Sequence, residues 1–281
     1  MSSIANSIHT EGVDMADNAI TLIILTKNEE KNIAAAIESA RQIASRILVV
    51  DSGSTDATVR IAEELGAETF FHDWEGHAKQ FNWALDNCDI RTPWVFRLDA
   101  DERISDDLAK EISTVLLSPD ADGYKMRFRL YFMGRWIRHG GTHKHYLLRL
   151  FRYGKGRAEE KLIDEHVIVN GPVKCLRGDL IHYDYKGLDA WLNKHVWYSS
   201  LELAMYEGQS DLSGGNEAQK RKRGLYYKLP LFFRARLYYW YRYYFQLGFL
   251  DGREGKIFAF LQAYWFRFLV DAKIIEKSRK K

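Results

Sequence analysis

Two aspartates, Asp99 and Asp101, stand two apart directly after the apolar run Trp94-Val95-Phe96-Arg97-Leu98. As a strand, that run would project the first carboxylate, and the turn beyond it could aim the second at the same cavity. Two such oxygens suit a hard divalent cation that keeps positions open for a diphosphate. An aspartate after a strand can equally cap the next helix. Asp51 closes a second run, Ile47-Leu48-Val49-Val50, and is followed by Ser52-Gly53-Ser54-Thr55-Asp56. A carboxylate there can accept hydrogen bonds from a base or a ribose, Gly53 lets the chain turn tightly, and Ser54 and Asp56 suit helix caps. Thr26-Lys27-Asn28-Glu29-Glu30 ends a third run and adds further polar groups.

Positioning these clusters together requires strands that end on one edge. From Ile20 to Leu117, apolar runs alternate with helical patterns, the rhythm of a parallel sheet covered by helices. The runs predict strands at Ile20 to Thr26, Ile47 to Asp51, Glu68 to Phe71 and Trp94 to Asp99. Helices are expected near Lys31 to Arg41, Asp56 to Leu65, His77 to Asn87 and Asp107 to Leu117. Each polar cluster then falls at a strand's C-terminal end, where open α/β sheets bind ligands. Beyond Gly123 the pattern predicts strands at Tyr124 to Tyr131, Tyr146 to Phe151, Val167 to Val169 and Leu180 to Tyr183, a mixed-sheet extension. Then come a helix from Leu188 to Glu207, a polar loop from Gln209 to Gly224, and two long helices over Tyr226 to Lys277 broken at Gly248 to Gly255. The expected division is a loose tail over residues 1–18, a catalytic α/β domain over 19–187 and a helical appendage over 188–281.

Bulk composition narrows the function classes. Apolar residues make up 46% and charged residues 28% of 281, with four prolines, which is the profile of an ordered globular chain. The net charge of +3 hides a division. Up to Asp122 there are 10 Lys+Arg against 23 Asp+Glu, and beyond it 31 against 15, so the halves carry −13 and +16. The acidic half argues against a nucleic-acid surface, while the basic half could face phosphates, an anionic membrane or an acidic acceptor. Cys88 and Cys175 lack metal-ligand spacing and suit a reducing cytosol. The first 18 residues lack the basic start and apolar stretch of a signal peptide. No Gly-x-Gly-x-x-Gly follows the first strand and no Walker motif is present, which weakens a dehydrogenase and an ATPase.

The C-terminal part carries 18 aromatics in the 44 residues from Leu225 to Phe268, interleaved with cations such as Arg236, Arg242 and Arg253. Rings half-immersed among headgroups, with cations on lipid phosphates, would use that mixture, as would an internal helical core. No stretch reaches the roughly 18 uninterrupted apolar residues of a membrane span.

In their order, Thr26-Lys27-Asn28-Glu29, Val50-Asp51-Ser52-Gly53-Ser54-Thr55-Asp56 and Leu98-Asp99-Ala100-Asp101-Glu102 resemble the family-2 glycosyltransferases of the GT-A fold. The resemblance covers Ile20 to Tyr185 and is nearest to the branch that builds lipopolysaccharide core and related surface glycans. It implies a Rossmann-like mixed sheet flanked by helices, with Thr26, Asn28 and Glu29 on the donor side, Asp51 on the nucleobase, Asp99 on the ribose side and Asp101 on the metal. Gly76-His77-Ala78-Lys79-Gln80 resembles the family's donor-touching loop and helix, which offers Lys79 and Gln80 to the diphosphate or base. Asp164-Glu165-His166 falls where the family carries the acidic pair that supplies the catalytic base. Glu165 is the expected base, with Asp164 the close alternative. His182 resembles a histidine placed near the metal or diphosphate, while Arg149, with His143 and His145 upstream, would border the diphosphate or acceptor.

The resulting expectation is an inverting glycosyltransferase using Mg²⁺ or Mn²⁺ and a nucleotide-sugar donor, UDP-hexose by branch resemblance. Its acceptor would be a lipid-linked or lipopolysaccharide-type glycan. The chain would work peripherally at the cytoplasmic face of an anionic cell membrane, without nucleic acid, and its aromatic helices could pair with a second copy as readily as with lipid. The rivals are a nucleotidyltransferase acting on sugar phosphates and a noncatalytic membrane adaptor on the same fold.

Overall fold

The computed structural model describes residues 19–142, 146–159, 166–208, 221 and 224–279. The expected tail and all of the expected polar loop except Arg221 and Gly224 lie outside them.

Four parallel strands form the acidic half of the sheet: β1 (Ile20–Thr26), β2 (Arg46–Asp51), β3 (Glu68–Phe71) and β4 (Trp94–Asp99). Every residue of β1 is buried, because helices cover both faces. Successive side chains of a strand point to opposite faces, and β1 divides accordingly. Leu22 and Ile24 join Ile33, Ala36 and Ile37 of α1 (Ile33–Ala40), whereas Ile23 and Leu25 join Phe81, Ala84 and Leu85 of α3 (His77–Asn87). Between them in sequence lies α2 (Thr58–Glu64), and α4 (Asp106–Val115) follows the strands, its first turn capped by Ser105 accepting from the Leu108 N–H.

Chain direction reverses beyond β4. β5 (Glu102–Ile104) is a short strand that had no apolar run to announce it. β6 (Gly123–Phe132) forms a hairpin with β7 (Arg135–Trp136), and β8 (Tyr146–Arg152) lies antiparallel between β4 and β6. β9 (Gly156–Ala158) and β10 (Val167–Val169) make a separate two-stranded sheet, and β11 (Val173–His182) runs parallel to β6. The main sheet order is β3-β2-β1-β4-β8-β6-β11-β5 with β7 beside β6, the mixed GT-A-like sheet expected.

β11 is longer than the expected Leu180 to Tyr183. Its first half is bulged between Cys175 and Asp179 and carries exposed Lys174, Cys175 and Arg177, so it lacks an apolar signature. Its far end sets the site, because the β11–β5 register pairs His182 with Glu102, next to Asp101.

The appendage begins with α5 (Leu188–Tyr206) and continues with α6 (Phe233–Trp240), which runs on as a π-turn through Tyr241–Phe245. A 3-10 turn at Gly248–Asp251 makes the expected break, where a Cβ on Gly248 would stand 2.9 Å from the Arg242 carbonyl oxygen. α7 (Gly252–Ala259), a π stretch at Phe260–Trp265 and α8 (Phe266–Ser278) complete the chain, and α8 packs along α5. Among the described residues no helix is long and apolar enough to cross a membrane.

Candidate functional site

The C-terminal ends of β1 and β2 meet in a stitched pair of loops. Asp51 accepts from the N–H groups of Gly53 (2.8 Å) and Ser54 (2.7 Å), from the Thr26 hydroxyl (3.1 Å) and from the Ser54 hydroxyl. Gly53 makes this turn at φ 86°. Asn28, itself at φ 55°, donates its N–H to Ser54 Oγ at 2.8 Å and accepts from the Thr55 N–H at 2.8 Å. Thr26 and Asn28 therefore brace the loop that carries Asp51. Asp51 is 4% exposed and each of its oxygens already accepts two hydrogen bonds, so a nucleobase contact requires one to be exchanged.

Glu29 faces the other way. Its carboxylate meets Lys186 Nζ at 2.5 Å and accepts from the Asn32 amide at 2.8 Å, and burial pushes its carboxyl above the usual range against those partners. Asn32 also donates to Asp184 and accepts from the Tyr185 N–H, both at 2.8 Å, which fixes the turn after β11 against α1. Lys79 is at the surface, paired with Glu75 at 3.2 Å. Gln80 is fully buried, its amide bonded to Ser52 Oγ (2.9 Å), the His72 carbonyl (3.0 Å) and His72 Nδ1 (2.7 Å), so it shapes the Asp51 loop from beneath.

Asp99 belongs to an ionic cluster at the end of β4. The Arg149 guanidinium reaches Asp99 Oδ2 at 2.7 Å and Glu102 Oε1 at 2.5 Å, while Arg97 Nε lies 3.6 Å from Asp99 Oδ1. Burial raises the Asp99 carboxyl, but the Arg149 and Arg97 charges outweigh it and hold the group well below the carboxylate range. Glu102, buried on β5, is pushed up by burial against the pull of Arg149. Arg149 is committed to these two carboxylates and orients Asp99.

Asp101 is the point of convergence. Its Oδ1 lies 3.4 Å from His182 Nδ1 and its Oδ2 lies 3.6 Å from Lys194 Nζ. Burial pushes the Asp101 carboxyl up, and the His182 and Lys194 charges pull it well below its ordinary value. Lys194 is raised in turn, chiefly by Asp101, and His182 is raised by the same carboxylate despite its burial.

The donor set suits a divalent cation with two protein ligands. Asp101 Oδ1 and His182 Nδ1, 3.4 Å apart, are the oxygen and nitrogen that would hold it. Among the described residues there is no group of three or more His, Cys, Asp or Glu that could hold a metal ion.

The expected base residues Asp164 and Glu165, together with His143 and His145, lie outside the described residues. What is described is the base of the β9–β10 hairpin, closed by the Glu159 N–H donating to the His166 carbonyl at 2.9 Å. Asn82 of α3 pins that hairpin, donating to the Ala158 carbonyl at 2.9 Å and accepting from its N–H at 3.0 Å.

Sequence reasoning missed Lys194, Lys186 and Asn32. None sits in a run or spacing that distinguishes it, and only the packing of α5 and the post-β11 turn against the sheet brings them in. Glu102 had a signal, its place directly after Asp101, but no role followed from it.

Residues 21–173, over half of the chain, match the family model described as Glycosyl transferase family 2. The chain is 29% identical to the lipopolysaccharide core biosynthesis glycosyltransferase LpsC of Rhizobium meliloti, over 87% of this chain and 90% of that protein. It is 30% identical to an uncharacterized glycosyltransferase of Rickettsia typhi, over 93% and 88% of the respective chains. Among solved structures it resembles mannosyl-3-phosphoglycerate synthase from Rubrobacter xylanophilus, with a TM-score of 0.35 and 24% identity over 40% of each chain. It also resembles glucosyl-3-phosphoglycerate synthase from Mycobacterium tuberculosis in complex with Mn²⁺ and UDP-glucose, with a TM-score of 0.36 and 21% identity over 42% and 46%.

Proposed function

Since the chain belongs to glycosyl transferase family 2, we propose that it moves a hexose from a UDP-type donor, with inversion, to a lipid-linked or lipopolysaccharide-type glycan. The observation that carries this reading is the convergence of Asp101, His182 and Lys194 at the C-terminal edge of the sheet, beside the Asp51 loop. Its acceptor side is supported by the likeness to the Rhizobium core glycosyltransferase.

Asp101 and His182 would hold Mg²⁺ or Mn²⁺, which when bound supplies positive charge against the departing diphosphate. The rest is the work of this chain's side chains. Lys194, an ammonium already drawn toward this edge by Asp101, exchanges that carboxylate for a phosphate oxygen of the donor. Asp99, oriented by Arg149, accepts from the ribose, and the Asp51 loop receives the base. Glu165 takes the proton from the acceptor hydroxyl as it attacks the anomeric carbon opposite the leaving nucleotide, with Asp164 the alternative base.

The appendage supports the membrane part of a peripheral position at the cytoplasmic face; the face itself is carried by the resemblance alone. Phe233, Leu237, Trp240, Tyr241 and Tyr244 are all exposed and fall at helical spacing along one face of α6 and its π-turn, with Phe245 78% exposed beyond them. Exposed Arg236, Arg253 and Lys256 provide cations for an anionic surface.

Calorimetric titration with UDP, GDP and CDP, with and without Mn²⁺, tests the donor half. UDP should bind and Mn²⁺ should strengthen it. No binding by any diphosphate would overturn the reading, and family membership favours transfer of the sugar over transfer of the nucleotide.

A further inference from the structure

Between the β6–β7 hairpin and the appendage lies a pocket of about 780 Å³ that the donor site does not use. Arg135, Trp136 and Arg138 line it from the hairpin side, and Leu250, Asp251 and Glu254 from the appendage side. Its two carboxylates are already committed. Asp251, nearly inaccessible, accepts from the His139 N–H at 2.8 Å and meets His139 Nδ1 at 2.8 Å. Glu254 faces Arg135 at 3.8 Å.

What is left over is donors. The Arg138 guanidinium is exposed and lies over the Trp136 ring at 4.0 Å, and no carboxylate among the described residues pairs with it. A second guanidinium, Arg129, lies over the same ring at 4.1 Å but is paired with Asp179 and lies outside the pocket lining. The Trp136 indole N–H is buried and has no acceptor among the described residues. The exposed Arg138 guanidinium suits a guest made of acceptor oxygens.

The surroundings say which guest. Tyr131, also in the pocket wall, lies 5.6 Å from the Tyr183 ring, and Tyr183 lies 4.6 Å from Tyr185. The Tyr183 N–H donates to the Asp101 carbonyl at 2.9 Å, and the Tyr185 N–H to Asn32 Oδ1 at 2.8 Å. A row of aromatic faces thus runs from the pocket to the donor site, a surface suited to sugar rings. On the other side, half-exposed Leu250 continues into the exposed apolar residues Phe249 and Leu247 of the appendage.

We infer that this pocket binds an oxyanion, a phosphate or a carboxylate, borne by the acceptor away from its reacting hydroxyl. The inference rests on the glycan-acceptor reading above. Arg138, lying over the Trp136 ring, supplies the charge, and the paired Asp251 and Glu254 keep the far wall from holding the anion too tightly for product to leave.

The test follows the Trp136 indole N–H signal in ¹⁵N NMR spectra of the full chain, assigned through Trp136→Phe. Inorganic phosphate and glucuronate are titrated separately against sodium chloride at matched ionic strength. The signal should move saturably with at least one of the two anions and not with chloride. Arg138→Gln should weaken that binding by about tenfold, the loss of one charge-assisted contact, while the other indole signals of the eight tryptophans stay in place. A response to phosphate alone points to a phosphorylated acceptor, and a response to glucuronate alone to a uronic acid. No saturable movement with either, or equal binding in Arg138→Gln, overturns the inference. UDP is titrated in the same samples: loss of UDP binding would count against the donor reading, whereas the anion curves alone decide the pocket.

Discussion

Lys194 Nζ stands 3.6 Å from Oδ2 of Asp101, so the first helix of the appendage delivers a cation to the carboxylate at the edge of the sheet. Because the ammonium is held in place before any donor arrives, Lys194→Met should weaken UDP binding by about tenfold, the scale of one phosphate contact. Uridine binding should be unchanged. Titration calorimetry with both ligands separates the cases. An equal loss for uridine would make Lys194 a prop for the site rather than a diphosphate partner.

Glu165 is assigned to the acceptor proton. Glu165→Gln should lower transfer by roughly 10²–10⁴, the range for removing a general base, with UDP affinity retained. Asp164→Asn is the companion variant. If it is the inactive one and Glu165→Gln turns over normally, the base is one residue earlier. Full activity in both would remove the acidic pair from the mechanism.

How far these residues were legible depended on what each one's signal had to cross. β1, β2 and β4 are covered on both faces and read as unbroken apolar runs, so the polar residues that end them could be placed on one edge before any coordinates. The Asp101–His182 meeting was named only as two separate candidates, because it depends on the β11–β5 register, and β5 is three residues long. Gln80 was expected at the diphosphate or base by resemblance and Arg149 beside the diphosphate or acceptor, and no run or spacing announced the bonds that hold them, Arg149 on Asp99 and Gln80 beneath the Asp51 loop. Lys194 was invisible, since nothing local on α5 distinguishes it from any helical lysine.

The appendage is held by a buried ion pair. Arg234 reaches Asp271 at 2.5 Å, both side chains are 1% exposed, and Asp271 also accepts from the Phe232 N–H at 2.6 Å. Removing one partner of such a pair strands the other charge. Asp271→Ala should therefore cost about 3–5 kcal/mol, read from urea unfolding. A change below ~1 kcal/mol would show that water reaches the guanidinium.

Thiol chemistry checks the packing of α3. Cys88 is buried in the core with Phe81 and Leu85, and burial pushes its thiol up to about 11, whereas Cys175 is exposed. Only thiolates attack disulfide reagents. Near pH 8 the native protein should release one equivalent from Ellman's reagent quickly, and the second only on unfolding. Two fast equivalents in the native state would contradict the burial of Cys88.

Membrane association is expected to depend on the exposed face of α6 and its π-turn. Trp240 and Phe245 are 53% and 78% exposed, so replacing both by serine should leave the fold's stability nearly unchanged. Each large ring withdrawn from water contributes about 1.5–3 kcal/mol when fully buried. Partial immersion of two rings then predicts a loss of binding to anionic vesicles on the order of tenfold to a hundredfold. Raising the salt should weaken the parent as well, since the exposed Arg236, Arg253 and Lys256 act through screened charge. Flotation on phosphatidylglycerol vesicles, with phosphatidylcholine as control, measures both effects. If the double variant floats as well as the parent, this face is not the anchor. If instead the parent fails to float and sediments as a dimer that the double variant dissolves, the face pairs with a second copy and the bilayer reading falls.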